Sequence, residues 1–409
     1  MAKYEEVFVG LDIGTSKVAT IVGTLEDKEV PSIIGVGITP TLGMRKGSVV
    51  DIPEVTGSIV RSVEAAERMA GVPIDRAYIN INGSHISSLN SKGVIAVGRA
   101  DNEISLEDIV RAQEAAQAVS IPSNREILHV IPRNYTVDGQ EGIKDPIGMN
   151  GVRLEVETHI ITGSQQVIKN LTKCISQANI QTEKLILTPL AASRAVLTKR
   201  QKELGVVLID IGAGTTGIAV YEEGDILFTA ILPVGAAHIT NDIAIGLRTS
   251  VDIAEKVKLK YGQSSTKKIA GKERLKLSEF SENEEGEFTK KHLAEIIEAR
   301  LSELFQMVKL ELRKVGKDGM LPAGAVLTGG GAKLQDLVDF AKDSLKLPAQ
   351  IGYPSQNLKG IIDKVHNPLY ATSVGLMLSG IDDQEIVGAN QKIGAVIDKI
   401  KKILRSFLP

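Results

Sequence analysis

The chain has 409 residues, with 48 Lys+Arg against 50 Asp+Glu, so its formal charge of −2 gives no overall reason to expect nucleic acid or an acidic membrane as a partner. There is no Trp, and seven Tyr and seven Phe leave the cores to Ile, Val, Leu and Ala, which suits helix-covered sheets better than aromatic stacking platforms. A single cysteine, Cys174, excludes an internal disulfide and a cysteine metal cluster; it reads as a small core residue in a reducing compartment. The start, Met1-Ala2-Lys3-Tyr4-Glu5-Glu6, lacks the build of a signal peptide, and no run of about 18 apolar residues marks a transmembrane helix.

The first strong pattern runs from Val7 to Gly23, where two apolar β-favouring runs flank Asp12-Ile13-Gly14-Thr15-Ser16-Lys17 and predict a hairpin with a polar tip. Residues 84–162 mix short alternating runs, Val94–Val97 and Leu154–Ile161, with a helix near 106–118. Pro122, Pro132, Gly139, Gly142, Pro146, Gly148 and Gly151 read as loop punctuation, giving a small α+β insert. Then Asp210-Ile211-Gly212-Ala213-Gly214-Thr215-Thr216, 198 residues after the first copy, repeats the strand, Asp-Ile-Gly, strand pattern. The chain therefore reads as two related halves. Residues 262–291, rich in Lys, Glu, Ser and Asn, read as a solvated loop or edge element. Apolar residues from Leu293 to Leu312, spaced by three and four, predict a long helix capped by Thr289 and stopped at Gly316. A buried strand at 325–328 feeds Gly329-Gly330-Gly331, and a helical pattern follows from Leu334.

Phosphate needs hydrogen-bond donors that approach without side-chain obstruction, which Gly/Ser/Thr turns supply. Gly14, Thr15, Ser16 and Lys17 form one candidate cradle, and Gly212, Gly214, Thr215 and Thr216 the other. Asp12 and Asp210 end the preceding strands. If the halves face each other these carboxylates meet near the phosphates and suit a hydrated Mg²⁺. One such turn can be an ordinary hairpin; two at corresponding positions beside a third glycine turn favour phosphate binding. No P-loop, dinucleotide fingerprint or nucleophile elbow occurs, and the six His are scattered without metal-ligand spacing.

At the C-terminus, Ile393, Val396, Ile397, Ile400, Ile403, Leu404, Phe407 and Leu408 line one helical face. The other face carries Lys392, Lys399, Lys401, Lys402 and Arg405 against Asp398, a local charge of +4. A helix docked on the body explains the apolar stripe without needing a one-signed polar face. An interfacial helix lying in an anionic membrane uses both, and a partner-protein helix is the further alternative. Gly388-Ala389-Asn390 reads as a break before it.

The Asp-Ile-Gly hairpins, the Leu327-Thr328-Gly329-Gly330-Gly331 turn and Asn367-Pro368-Leu369-Tyr370-Ala371-Thr372-Ser373-Val374-Gly375-Leu376 resemble the actin/Hsp70/hexokinase ATPase superfamily. Within it, the chain resembles the FtsA family of bacterial cell-division proteins nearly end to end. That resemblance implies an α/β actin-like two-lobed ATPase fold, with duplicated ribonuclease H-like halves and an inserted α+β subdomain. It divides the chain into a first half at 1–83, 163–200 and 366–388, the insert at 84–162, and a second half at 201–365 with a subdomain around 245–300. A linker at 389–392 and a membrane-targeting helix at 393–409 complete it.

It implies ATP and Mg²⁺ as cofactors, with Gly329, Gly330 and Gly331 at the adenosine. Glu255 and Lys258, matching an E-x-x-K motif, take ribose or adenine contacts. The helices at Pro189–Ala192 and Ala371–Gly375 connect the halves. No catalytic base is evident near Ser193 and Arg194, so at most weak ATP hydrolysis is expected. The implied partners are the FtsZ C-terminal peptide, met by the region around 245–300, further copies of the chain in a filament, anionic lipids and other division proteins, with no nucleic acid. The implied place is the cytoplasmic face of the membrane at the septum. A pilus-assembly scaffold of the same fold would not need the basic tail, and a small-molecule kinase would need a catalytic carboxylate and a substrate pocket.

Overall fold

The computed structural model describes residues 6–26, 30–98, 101–269, 273–282, 284–354 and 358–390, without the side chains of Glu26 and 385–390. The apolar runs around the first Asp-Ile-Gly form β1 (Val7–Ile13) and β2 (Lys17–Glu26), which pair antiparallel, with Asp12 opposite Ala19. They are followed by β3 (Val30–Pro40), a two-stranded ribbon of β4 (Met44–Arg45) and β5 (Ser48–Val49), α1 (Ile52–Ala70) and β6 (Arg76–Ile81). Asp51 caps α1 by accepting from the Glu54 amide, and Gly71, at φ 72°, ends it.

The insert supplies β7 (Ser87–Ala96), α2 (Leu106–Gln117), β8 (Arg125–Val137), β9 (Gln140–Ile143) and β10 (Arg153–Ser164). Then come α3 (Gln165–Gln177), β11 (Gln181–Leu187), α4 (Thr188–Val196) and α5 (Lys199–Leu204). The second Asp-Ile-Gly hairpin is β12 (Val206–Ile211) with β13 (Thr216–Glu222), followed by β14 (Asp225–Leu232), α6 (Ala236–Leu247) and α7 (Val251–Tyr261). A small hairpin, β15 (Arg274–Lys276) and β16 (Glu287–Thr289), precedes α8 (Lys290–Lys314). Last are β17 (Ala325–Thr328), α9 (Leu337–Leu345), β18 (Ala349–Ile351), β19 (Lys359–Gly360), α10 (Ile362–Val365) and α11 (Ala371–Asn390).

The duplication is explicit in the sheets. The first has the order β11-β6-β1-β2-β3-β19, and the second β14-β13-β12-β17-β18. In each, the hairpin strands and the next strand pair antiparallel, while two later strands add in parallel on the other side of the first. Between the sheets run α4 and α11. Val374 and Met377 share one core with Phe8 and Ile21 of the first sheet and with Leu208, Ala219 and Val326 of the second. Close crossing needs small residues: a Cβ on Gly375 would stand 1.8 Å from the Ala191 carbonyl oxygen.

The insert is a four-stranded sheet of order β7-β10-β8-β9 covered by α2. It leans on β14 of the second half: Ser88 Oγ donates to the Thr229 carbonyl at 2.7 Å, and His159 lies between Asn90 Oδ1 at 2.7 Å and Thr229 Oγ1 at 2.9 Å.

Four sequence expectations change. Pro132, read as loop punctuation, lies inside β8 next to an irregularity in its register with β10, where a missing N–H is tolerated. Residues 262–291 are not merely solvated, since Leu275, Leu277 and Phe288 plug the core of the second half. The chain rejoins the first sheet before residue 366, because β19 pairs with β3. Finally, α11 runs through Gly388-Ala389-Asn390, where a break was expected. Residues 391–409, with the rest of the linker and every tail residue from Ile393 to Leu408, lie outside the described residues.

Candidate functional site

The Asp-Ile-Gly repeat places two tight turns where the halves meet. Gly14 N donates to Lys17 O and Gly212 N to Thr215 O, each at 2.9 Å, which closes the tips in the same way. Among the described residues, the amides of Thr15, Ser16, Ala213 and Gly214 find no backbone acceptor. The turns touch: a Cβ on Gly214 would lie 2.8 Å from Thr15 Oγ1. They are held from behind. Asn80 Oδ1 accepts from Ile13 N at 2.7 Å, Asn82 Nδ2 donates to Thr215 Oγ1 at 3.0 Å, and Ala236 and Ala237 of α6 donate to the carbonyls of Gly212 and Ala213.

Asp12 and Asp210, 6% and 7% exposed, stand behind these tips. Lys17, expected at phosphate, binds Asp12 Oδ2 at 2.8 Å. Burial first, and then the neighbouring Asp12 carboxylate, push Asp210 up to about 7, opposed by Lys17 and by the Thr372 hydroxyl. Two buried carboxylates thus share one lysine, an arrangement short of positive charge. Thr41, whose amide donates to Ser16 O, keeps a buried hydroxyl with no partner beside the first turn.

The third glycine turn reaches the same spot. Gly329, at φ 83°, passes so close that a Cβ would be 2.3 Å from Asp210 Oδ1. Gly330 and Gly331 then enter a short 3-10 turn, so the following helix begins at Leu337 and not at Leu334. The segment that follows α7 lies alongside: Ser264 N donates to Gln335 O at 3.0 Å. On α7, Lys258 Nζ binds Glu255 Oε2 at 2.6 Å and Thr240 Oγ1 at 2.7 Å, which ties the pair to α6 behind the second turn.

The structure therefore gathers Gly14, Thr15, Ser16, Lys17, Asp12, Asp210, Gly212, Gly214, Thr215 and Gly329 at one point, with Gly330, Gly331, Glu255 and Lys258 on its second-half side. Thr216 is fully buried and spends its hydroxyl on Val234 O. Ser193 bonds Tyr221 and Arg194 clasps Asp382, so neither is turned to this point. Sequence reasoning missed Asn80, Asn82 and the tip of the β4–β5 ribbon, where Gly47 N donates to Thr15 Oγ1 at 3.2 Å. The signal for the tip was a Lys-Gly pair between two short strands. Among the described residues no group of three or more His, Cys, Asp or Glu is placed to hold a metal ion, so a metal here would take two carboxylates and complete its shell with water and ligand oxygens, as Mg²⁺ does.

A family model for the SHS2 domain inserted in FTSA matches residues 83–162, and one for Cell division protein FtsA matches 207–375. The chain is 41% identical over 379 residues to Cell division protein FtsA of Pseudomonas aeruginosa, covering 93% of this chain and 90% of that protein. The corresponding protein of Bacillus subtilis is 42% identical over 389 residues, covering 95% and 86%. Among solved structures, the PilM-PilN type IV pilus biogenesis complex superposes with a TM-score of 0.67 at 17% identity, covering 91% of this chain and 98% of that one. MreB5 of Spiroplasma citri bound to ADP superposes with a TM-score of 0.55 at 14% identity, covering 96% and 100%. These likenesses agree with the duplicated sheets in showing an actin-like fold with an inserted domain. By its sequence identity over nearly its whole length, the chain belongs to the FtsA family of cell-division proteins.

Proposed function

We propose that this protein binds Mg-ATP between its halves, assembles into actin-like filaments and tethers FtsZ to the cytoplasmic face of the membrane at the division site. The observation that carries nucleotide binding is the convergence of three glycine turns on two buried carboxylates, with unspent backbone N–H groups at the tips. In this reading Thr15, Ser16 and Gly214 supply amides to phosphate, and Asp12 and Asp210 hold the hydrated magnesium. Gly329, Gly330, Gly331, Glu255 and Lys258 flank the nucleoside. Membrane attachment rests on the sequence of 393–409, whose apolar stripe and basic face suit an anionic surface. The subdomain around 245–300 takes the FtsZ peptide. Slow hydrolysis at most belongs to this reading, since the first connecting helix offers Ser193 and Arg194 but no acidic base.

Two measurements test this. Titration with Mg-ATP should show binding that Asp210→Ala weakens, and equal affinity for both proteins removes the magnesium assignment. Co-sedimentation with anionic vesicles, with and without FtsZ and ATP, should show that the full chain carries FtsZ to lipid and that a chain lacking 393–409 binds ATP but no vesicles. Unchanged vesicle binding by the shortened chain defeats the tether.

A further inference from the structure

The chain passes from the first half to the second through α5, a six-residue helix none of whose residues is fully buried. The carbonyls of Lys202 and Glu203 accept the amides of Gly224 and Glu223, which holds α5 against the turn between β13 and β14. That seating lays the half-buried Lys202 side chain over β13, with its ammonium 4.7 Å from the centre of the Tyr221 ring. Tyr221 is itself buried and shares a hydrogen bond with Ser193 of α4. The next residue of α4, Arg194, clasps Asp382 of α11. Four elements, α4, α5, β13 and α11, thus meet around one amine.

This cluster favours the amine without its proton. Packing against the ring takes water from the ammonium, which penalises the charged form, and a ring face returns less of that loss than a carboxylate would. Lys17 is held by Asp12 and Lys258 by Glu255, whereas the Lys202 ammonium has no ion pair among the described residues. Asp382 faces it but is engaged by Arg194, whose own positive charge opposes a second one. Burial first, and then Arg194, push Lys202 down to about 8 against the pull of Asp382. The exposed Lys267 and Lys268 go the other way, held up by Asp343 and by Asp339 with Asp336.

A neutral lysine amine is a nucleophile, and its seat against a ring and a helix admits a compact donor more readily than a bulky one. We infer that Lys202 is a site of Nε-acylation, with a small acyl phosphate as the donor. The Nζ lone pair attacks the acyl carbon and a C–N bond forms. The bond from that carbon to the phosphate oxygen breaks, and phosphate leaves with the electron pair and takes up the amine proton. The product amide carries no charge, so it gives up the cation–π contact that ties α5 to Tyr221. The modification therefore acts where the chain crosses between its halves.

The test is brief exposure of the full chain to acetyl phosphate at about pH 7.5, followed by peptide mass spectrometry that counts acetyl groups at Lys202, Lys267 and Lys268. Lys202 should acquire them about 10-fold faster than either, because its larger neutral fraction outweighs the lower nucleophilicity of a less basic amine. Its rate should rise with pH to a midpoint near 8. Arg194→Gln frees Asp382 to pair with Lys202 and should slow acetylation there several-fold while leaving Lys267 unchanged. In denaturing guanidinium chloride the three rates should become equal. Equal labelling of the three lysines in the folded chain overturns the inference, as does a Lys202 advantage that survives in the denaturant.

Discussion

Three consecutive glycines invite a uniform explanation, yet Gly329, Gly330 and Gly331 face different surroundings, and alanine at each should separate them. At Gly329 the backbone sits at φ 83°, and a Cβ would lie 2.3 Å from Asp210 Oδ1 and 2.6 Å from the Ile211 carbonyl oxygen. Left-handed strain of about 1–2 kcal/mol adds to overpacking of about 1–3 kcal/mol, so Gly329→Ala should cost about 3 kcal/mol or more. At Gly331 the backbone is ordinary, but a Cβ would meet Ile211 Cγ2 at 2.4 Å and its carbonyl oxygen at 3.0 Å, so about 1–2 kcal/mol is expected. Gly330 has only Leu369 Cδ1 at 3.7 Å, an ordinary contact, and Gly330→Ala should be neutral or stabilising by up to about 1 kcal/mol. Urea denaturation of the three variants without nucleotide gives the order directly. If Gly329→Ala and Gly330→Ala agree within about 0.5 kcal/mol, the crowding of Asp210 by this turn is refuted.

Gly375→Ala should prevent the crossing of α4 and α11, since the new Cβ would stand 1.8 Å from the Ala191 carbonyl; the readout is loss of soluble, cooperatively unfolding protein. Phe288→Ala should destabilise by about 3–5 kcal/mol in denaturation, as expected of a core side chain; an effect under about 1 kcal/mol would return residues 262–291 to the status of a surface loop. Burial, and then Arg133, hold His159 down to about 4, so this histidine is neutral in the folded state. Its contribution is complete above the unfolded pKa near 6.5 and is lost as pH falls toward 4, up to about 3 kcal/mol over that window. His159→Gln should reduce the slope of stability against pH between those values, the buried His129, held down to about 3, supplying the remainder; an unchanged slope would remove His159 from the acid sensitivity.

The two hairpins are legible in the sequence because the same Asp-Ile-Gly interrupts apolar runs twice, and such runs have few alternatives to buried strands. The long helix α8 is equally legible: its apolar spacing and Thr289 agree, and Thr289 does accept from the His292 amide. The strand β8 is not, because Pro132 signals a break unless its partner strand is known to be irregular at that point. Residues 262–291 mislead for a related reason, since three large apolar side chains suffice to anchor a segment whose average composition is polar. At the site, the glycine turns announce themselves, but Asn80, Asn82 and Gly47 meet them across distances that only the folded topology creates. Lys17 shows the converse: its spacing suggested phosphate, while its nearest acid in space, Asp12, takes it.

The unbroken α11 has a mechanical meaning for whatever grips the C-terminus. Its twenty residues span about 30 Å at about 1.5 Å per residue. One end carries Thr372, whose hydroxyl donates to Asp210 Oδ2 at 3.4 Å, and the other end stops three positions before Ile393. On the way, Asp382 is clasped by Arg194 and Asp383 by Lys184, so ion pairs tie the rod to the first half. The last described turn of α11 therefore takes its position and heading from the frame that holds the glycine turns, so that anything pulling on this end of the rod pulls on the same helix that touches Asp210.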